Sequence, residues 1–287
     1  MTNKTVITAG KKYVDIDGLA CAVAYAELIN GIAVLNDDLN VTVPPSVREW
    51  GFYFERKCPL GVEKFVIVDV SDPGHFPDFV EKGKIAEVWD HRSGFEDYWG
   101  AVGHIEKVGA CATQIFELFK DKGLSAVTAN LLYTAIFANT LCFKANVTTE
   151  RDKRAFEKLK AYISLPDNWV EAYYHEVEAG MLSDFEWALA CDVKEFGRNA
   201  IAQLELWEAQ KIIDRGDFND TVEKVLGKYN HWLLTMPSIS EGRNYLFTNS
   251  LRAKEQLEKA VGAVFSGNAG ATNKLYMRKE LMLFVNF

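Results

Sequence analysis

Three short β-branched runs each stop at acidic residues, and that repetition constrains the fold more than anything else in the chain. Thr5–Thr8 leads into KKYVDIDG with Asp15 and Asp17, Phe65–Val68 stops at Asp69, and Ile85–Trp89 stops at Asp90 and His91. Short apolar runs bounded by polar or Gly/Pro turns read as buried parallel strands, and Ala33–Leu35 and Ala101–Val108 extend the set. Helical patterns follow over Gly18–Ile29, Cys111–Lys122, Ala126–Phe143 and Thr149–Ile163. An open parallel sheet binds ligands beyond the carboxyl ends of its strands. Such a sheet would collect these carboxylates and the imidazole at one edge. Carboxylates that close repel unless a cation sits between them, and oxygen donors with one imidazole suit Mn²⁺ or Mg²⁺ better than a thiolate-preferring metal. A single Asp after a strand is usually a turn or a cap; its recurrence at three strand ends favours a metal site. His75, His104, His175 and His231 lack that context and read as structural.

A chain of 287 residues, at roughly 150 per domain, is expected to form two domains. Its 48% hydrophobic and 25% charged residues exclude disorder and collagen-like structure. An amphipathic stretch runs over Trp169–Glu178, and the pattern weakens over Met181–Ala190. Beyond it, strands (Phe196–Leu206, Trp232–Thr235, Tyr245–Thr248, Leu281–Val285) alternate with helices (Thr221–Tyr229, Ala253–Val261). The expected fold class is α/β: a parallel-sheet domain over 1–180, a linker over 181–190 and a smaller mixed α/β domain over 191–287, with the active site in the cleft between them. Residues 191–287 hold 13 basic and 12 acidic side chains, a net +1, so of the chain's net −8 the first 190 residues carry −9. That charge disfavours duplex nucleic acid and anionic membranes. The longest apolar stretch, Ala126–Phe143, carries Thr128, Asn130, Thr134, Asn139 and Thr140, too many polar groups for a membrane span. With no secretory signal pattern and five scattered cysteines without a CxxC pair, the expected location is the cytoplasm.

The segments DIDGLACAVAYAEL, VIVDVSD, VWDHRSG, GACATQIF and AIFANTLCFKANVTTERDKRAFEKL occur in the order seen in the DHH phosphoesterase superfamily. The chain resembles most closely the manganese-dependent family II inorganic pyrophosphatases, and DVKEF and YMRKELM extend the likeness into a DHHA2-type second domain. The resemblance implies Asp15, Asp17, Asp69 and His91 as metal ligands, and Asp90 as the group that orients the imidazole. It also implies Lys194, Arg278 and Lys279 as contacts to a phosphorylated substrate, and admits a homodimer.

Three positions depart from that pattern. Lys11 stands where the family has a metal-binding histidine, Arg92 replaces a substrate-contacting histidine, and Asn139 replaces a ligand aspartate. An ammonium about 4 Å from a carboxylate interacts by roughly 4 kcal/mol at an effective dielectric of 20, enough to discourage a second cation. The expectation is one Mn²⁺ (or Mg²⁺) per chain on Asp17, Asp69 and His91, with Asn139 as a weak neutral ligand. Lys11 and Arg92 would offset part of the charge stabilisation lost with a second ion, and with Asp15 and Asp90 they form the expected catalytic set. The implied function is hydrolysis of a phosphoanhydride or small phosphoester, with the substrate clamped by Arg92, Lys194, Arg278 and Lys279. The alternative is a non-catalytic relative that binds a phosphorylated small molecule.

Overall fold

A computed structural model describes residues 4–120 and 122–287. The chain forms two compact units, 1–140 with 147–167 and 141–146 with 168–287. In the first unit five parallel strands, β1 (Thr5–Thr8), β2 (Ile32–Ala33), β3 (Lys64–Val68), β4 (Ile85–Asp90) and β5 (Gly103–Ile105), lie in the order β2-β1-β3-β4-β5. The chain leaves β1 toward β2 and then returns to the other side of β1 with β3. The order therefore reverses between β1 and β3, where doubly wound sheets open a crevice. The short runs form strands because both faces are covered: Val6, Phe65, Ile67 and Val88 pack with Val34, Val62 and Phe76. The second strand is shorter than the expected Ala33–Leu35; Val34 makes only an isolated bridge with Glu55.

Helices α1 (Ile16–Ile29), α2 (Pro45–Arg48), α3 (Cys111–Phe119), α4 (Ala126–Asn139) and α5 (Glu150–Leu159) complete the unit. Residues Ile16–Tyr25 of α1 are all buried, and α1 packs on α3 and α4. The apolar stretch after Ala126 is thus a core helix, and no helix among the described residues is long and apolar enough to cross a membrane.

The second unit contains α6 (Trp169–Ser183), α7 (Phe185–Cys191), β6 (Val193–Phe196), β7 (Asn199–Gln203), α8 (Gln210–Ile213), α9 (Phe218–Leu226), β8 (His231–Ser238), β9 (Arg243–Thr248), α10 (Leu251–Val261), β10 (Val264–Ser266), β11 (Ala269–Ala271) and α11 (Arg278–Leu281). Its mixed sheet has the order β10-β11-β9-β8-β7-β6, with only β7 and β8 parallel. Two expectations change here. The 181–190 segment is the end of α6 and most of α7. Asp184 accepts the Trp187 N–H at 3.0 Å, and Phe185, Ala188 and Leu189 are buried, with Phe185 stacked on Phe218. A helix break that looks like a linker in sequence is here a capped corner inside the second unit. Leu281–Val285, expected as a strand, begins instead in the turn of α11, where Glu280 accepts the Met277 N–H and Leu281 joins Ile201, Leu233 and Leu246 in the core. A short apolar run does not distinguish a strand from a buried helical turn.

Candidate metal centre

The loop after β1 ends in Asp15, which caps α1 by accepting the Gly18 N–H at 2.8 Å. Two residues on, Asp17 lies in the first turn of α1 with its side chain fully buried. Its carboxylate accepts the N–H groups of Cys111 and Ala112, each at 2.9 Å, and so caps α3, whose own N-cap Ala110 has no side-chain acceptor. Two helix N-termini converge on Asp17 and favour its negative charge. Burial first, then the charges of Asp69 and Asp15, nevertheless hold its carboxyl well above the usual carboxylate range, with the two N–H bonds pulling the other way. A cation is the natural compensation for an ionised group so placed.

Asp69 follows β3 with φ of 55°, a left-handed conformation that aspartate tolerates at some cost. His91 follows β4. Its Nδ1 is 2.8 Å from the Gly109 carbonyl, and since a carbonyl can only accept, Nδ1 carries the proton. In the neutral ring Nε2 then turns its lone pair toward Asp69 Oδ1 at 3.2 Å and Asp17 Oδ2 at 3.7 Å. Three electron-pair donors from Asp17, Asp69 and His91 lie within 4.8 Å of one another, all buried. Two carboxylates and an imidazole whose far nitrogen is held by a carbonyl form a donor set that fits a hard divalent ion. If that fit is right, Mn²⁺ at 100 times its dissociation constant stabilises the folded chain by about 2.7 kcal/mol. Calorimetric scans with added Mn²⁺ and with chelator should then differ by several degrees, and superimposable scans would count against the site.

The other predicted residues fall out as follows. Asp90 is 1% exposed, but its carboxylate does not hold the imidazole. It accepts the His91 backbone N–H at 2.7 Å and the Ser71 hydroxyl at 2.6 Å, and the orienting role expected of it belongs to the Gly109 carbonyl. As the last residue of β4, Asp90 turns back to tie down the loop that follows. Arg92 reaches the cluster through its guanidinium, which donates to Asp69 at 2.9 and 3.3 Å and to Asp90 at 3.0 Å. Burial would loosen its proton, but Asp69, Asp90 and Asp15 outweigh that and hold its pKa above the ordinary value. Lys11, from which the sequence drew the extra positive charge, donates its backbone N–H to the His75 carbonyl and makes no ion pair among the described residues. The counter-charge at Asp69 comes from Arg92.

Asn139 ends α4 and directs its amide to the Ala135 carbonyl at 3.5 Å. Just beyond it Leu141, Cys142 and Phe143 all have positive φ, an uncommon run of left-handed non-glycine residues. In the second unit, Arg278 is ion-paired with Asp192 at 2.6 Å, Lys194 lies over the Phe196 ring at 5.9 Å, and Lys279 is half-buried in the first turn of α11.

One participant reads in the sequence only as an acidic residue in the first turn of a helix. Asp152 is fully buried and accepts the Gly109 N–H at 2.9 Å, the Thr149 N–H and hydroxyl at 2.7 Å each, and the Thr113 hydroxyl at 2.6 Å. It thereby fixes the loop whose carbonyl holds His91. The only local trace of this is the capping box of α5, Thr149 with Asp152 three residues on, which reads as ordinary helix initiation.

No family model matches the chain. Among curated proteins it is similar to a manganese-dependent inorganic pyrophosphatase of Methanothrix thermoacetophila, 24% identical over 97% of this chain and 96% of the relative. A manganese-dependent inorganic pyrophosphatase of Methanocaldococcus jannaschii is 25% identical over 94% of each chain. Among solved structures, one assigned to the family II inorganic pyrophosphatases of Methanococcus jannaschii superposes with a TM-score of 0.81 at 22% identity, covering 97% of each chain. At that identity the superposition speaks to the fold.

Proposed function

From the relationship of this chain to the family II inorganic pyrophosphatases of the DHH superfamily, we propose that it is a metal-dependent phosphohydrolase acting on a phosphoanhydride or small phosphoester through one divalent ion on Asp17, Asp69 and His91. The observation that carries the reading is the convergence of those three buried donors within 4.8 Å. Manganese is the preferred ion, on the donor set and on the names of the relatives. Bound there, it would supply Lewis acidity to a phosphoryl oxygen.

The remaining roles belong to the chain. Asp15, half-buried at the start of α1, is assigned to take the proton of the attacking water. Arg92 faces the phosphoryl group with fixed positive charge, and Asp90 holds Arg92 and the loop after β4. Lys194, Arg278 and Lys279 are assigned to substrate phosphate on the resemblance alone. Asn139 is a neutral ligand at best, which leaves the metal charge less compensated than an aspartate would.

Phosphate release from pyrophosphate, polyphosphate and nucleotides, measured with and without Mn²⁺, tests the proposal. Metal-stimulated release from at least one phosphoanhydride is expected, with Lys194→Ala and Lys279→Ala raising KM more than they lower kcat. A chain that binds Mn²⁺ and pyrophosphate without hydrolysing any of the panel would favour the non-catalytic reading, for which the engagement of Asp69 by Arg92 is the motivating observation.

A further inference from the structure

Arg92 directly follows the histidine of the cluster, and its guanidinium is spent on the same carboxylate that the metal site needs. Nη1 lies 2.9 Å from Asp69 Oδ1 and 3.0 Å from Asp90 Oδ1, Nη2 lies 3.3 Å from Asp69 Oδ2, and Nη1 also donates to the Asp69 carbonyl. Both acceptor side chains are almost wholly buried, 5% and 1% exposed, while that of Arg92 is 31% exposed, so the cation reaches inward from the rim. Asp69 is therefore shared, its Oδ1 being 3.2 Å from His91 Nε2 and 2.9 Å from Arg92 Nη1.

We propose that the Arg92 guanidinium is a resident cation of the cluster, standing where a further metal ion would have to bind Asp69 and so limiting the centre to one divalent ion. The inference rests on the metal reading above and says why the centre takes one ion. Its physical basis is a difference between cationic side chains. A histidine or lysine displaced by a metal can lose its proton and turn its nitrogen into a ligand, whereas a guanidinium stays charged and has donors only. A second ion at Asp69 would have to share the carboxylate with a permanent positive charge and break a two-point fork, which is the strong form of charge-assisted pairing.

The test is metal content, independent of turnover. After saturation with Mn²⁺ and desalting, the native chain should carry one ion by elemental analysis and show the resolved hyperfine spectrum of an isolated Mn²⁺. Arg92→Gln, with circular dichroism as the control for folding, should double the content per chain and replace that spectrum with the broadened signal of a coupled pair. Two ions in the native chain, or a folded Arg92→Gln chain that still saturates at one, would overturn the proposal. A coupled-pair spectrum from the native chain would overturn the inference even if the variant does not fold. Retention of no ion by the native chain would remove the metal reading itself, and this inference with it.

Discussion

Asp17→Asn is expected to weaken Mn²⁺ binding at least about 100-fold while leaving the metal-free fold nearly as stable as before. The first part follows because Asp17 is one of three donors, and even changes behind a ligand typically cost 10–100-fold in affinity. The second follows from two opposed effects. The amide has one carbonyl oxygen for the two N–H groups of Cys111 and Ala112, so one buried donor loses its acceptor at a cost of about 1–3 kcal/mol. Against that, the substitution removes a charge that burial and the neighbouring Asp69 and Asp15 already disfavour. The two nearly offset, and metal-free stability should change by no more than about 1–2 kcal/mol. Isothermal titration with Mn²⁺ beside urea unfolding in chelator separates the two quantities. Affinity within a few-fold of native would place the metal elsewhere.

Asp152→Ala is expected to have the opposite profile, with stability as its main casualty. The substitution leaves the Gly109 N–H and the Thr113 hydroxyl without their acceptor in a buried site, and the N–H and hydroxyl of the half-buried Thr149 without theirs. At about 1–3 kcal/mol for each buried group left unsatisfied, and allowing for relaxation, a loss of roughly 3–5 kcal/mol is reasonable. Metal affinity should fall as well, by about 10–100-fold, because Asp152 holds the loop whose carbonyl orients His91. Asp152→Asn keeps one acceptor oxygen and should lose less on both counts. The measurement is the urea midpoint of each variant, followed by Mn²⁺ titration of whichever remain folded. A native-like midpoint for Asp152→Ala would mean that water or a relaxed backbone satisfies those groups, and would remove Asp152 from the support of the site.

Much of the first unit was legible in one dimension because its determinants are local. The runs of β1, β3 and β4 are rich in buried apolar residues (Val6 and Ile7, Phe65–Val68, Val88 and Trp89), so they stand out as short apolar runs. In a parallel sheet the segments after these runs emerge at the same edge, which brings Asp69 and His91 together before any contact is known, and Asp17 joins them from the first turn of α1 after the loop that follows β1. The second unit was less legible. Leu281 was misplaced because a buried helical turn and a strand share one apolar pattern, and the break at Asp184 looked like a linker because burial of Phe185 against Phe218 leaves no local mark.

By itself, then, the sequence placed acidic residues and an imidazole after three strands, and the family resemblance added Asp15, Asp17, Asp69, His91 and Asn139 as ligands; the structure brings Asp17, Asp69 and His91 of these within 4.8 Å of one another. What surrounds those donors was decided only in three dimensions. Asp17 caps a helix 94 residues away, Asp152 holds a loop 43 residues before it, and the fork of Arg92 lands on a carboxylate 23 residues earlier. Each is a side chain choosing among several nearby partners, and that choice depends on rotamer, burial and competing charge. None of these has a period or a spacing that a linear pattern can record.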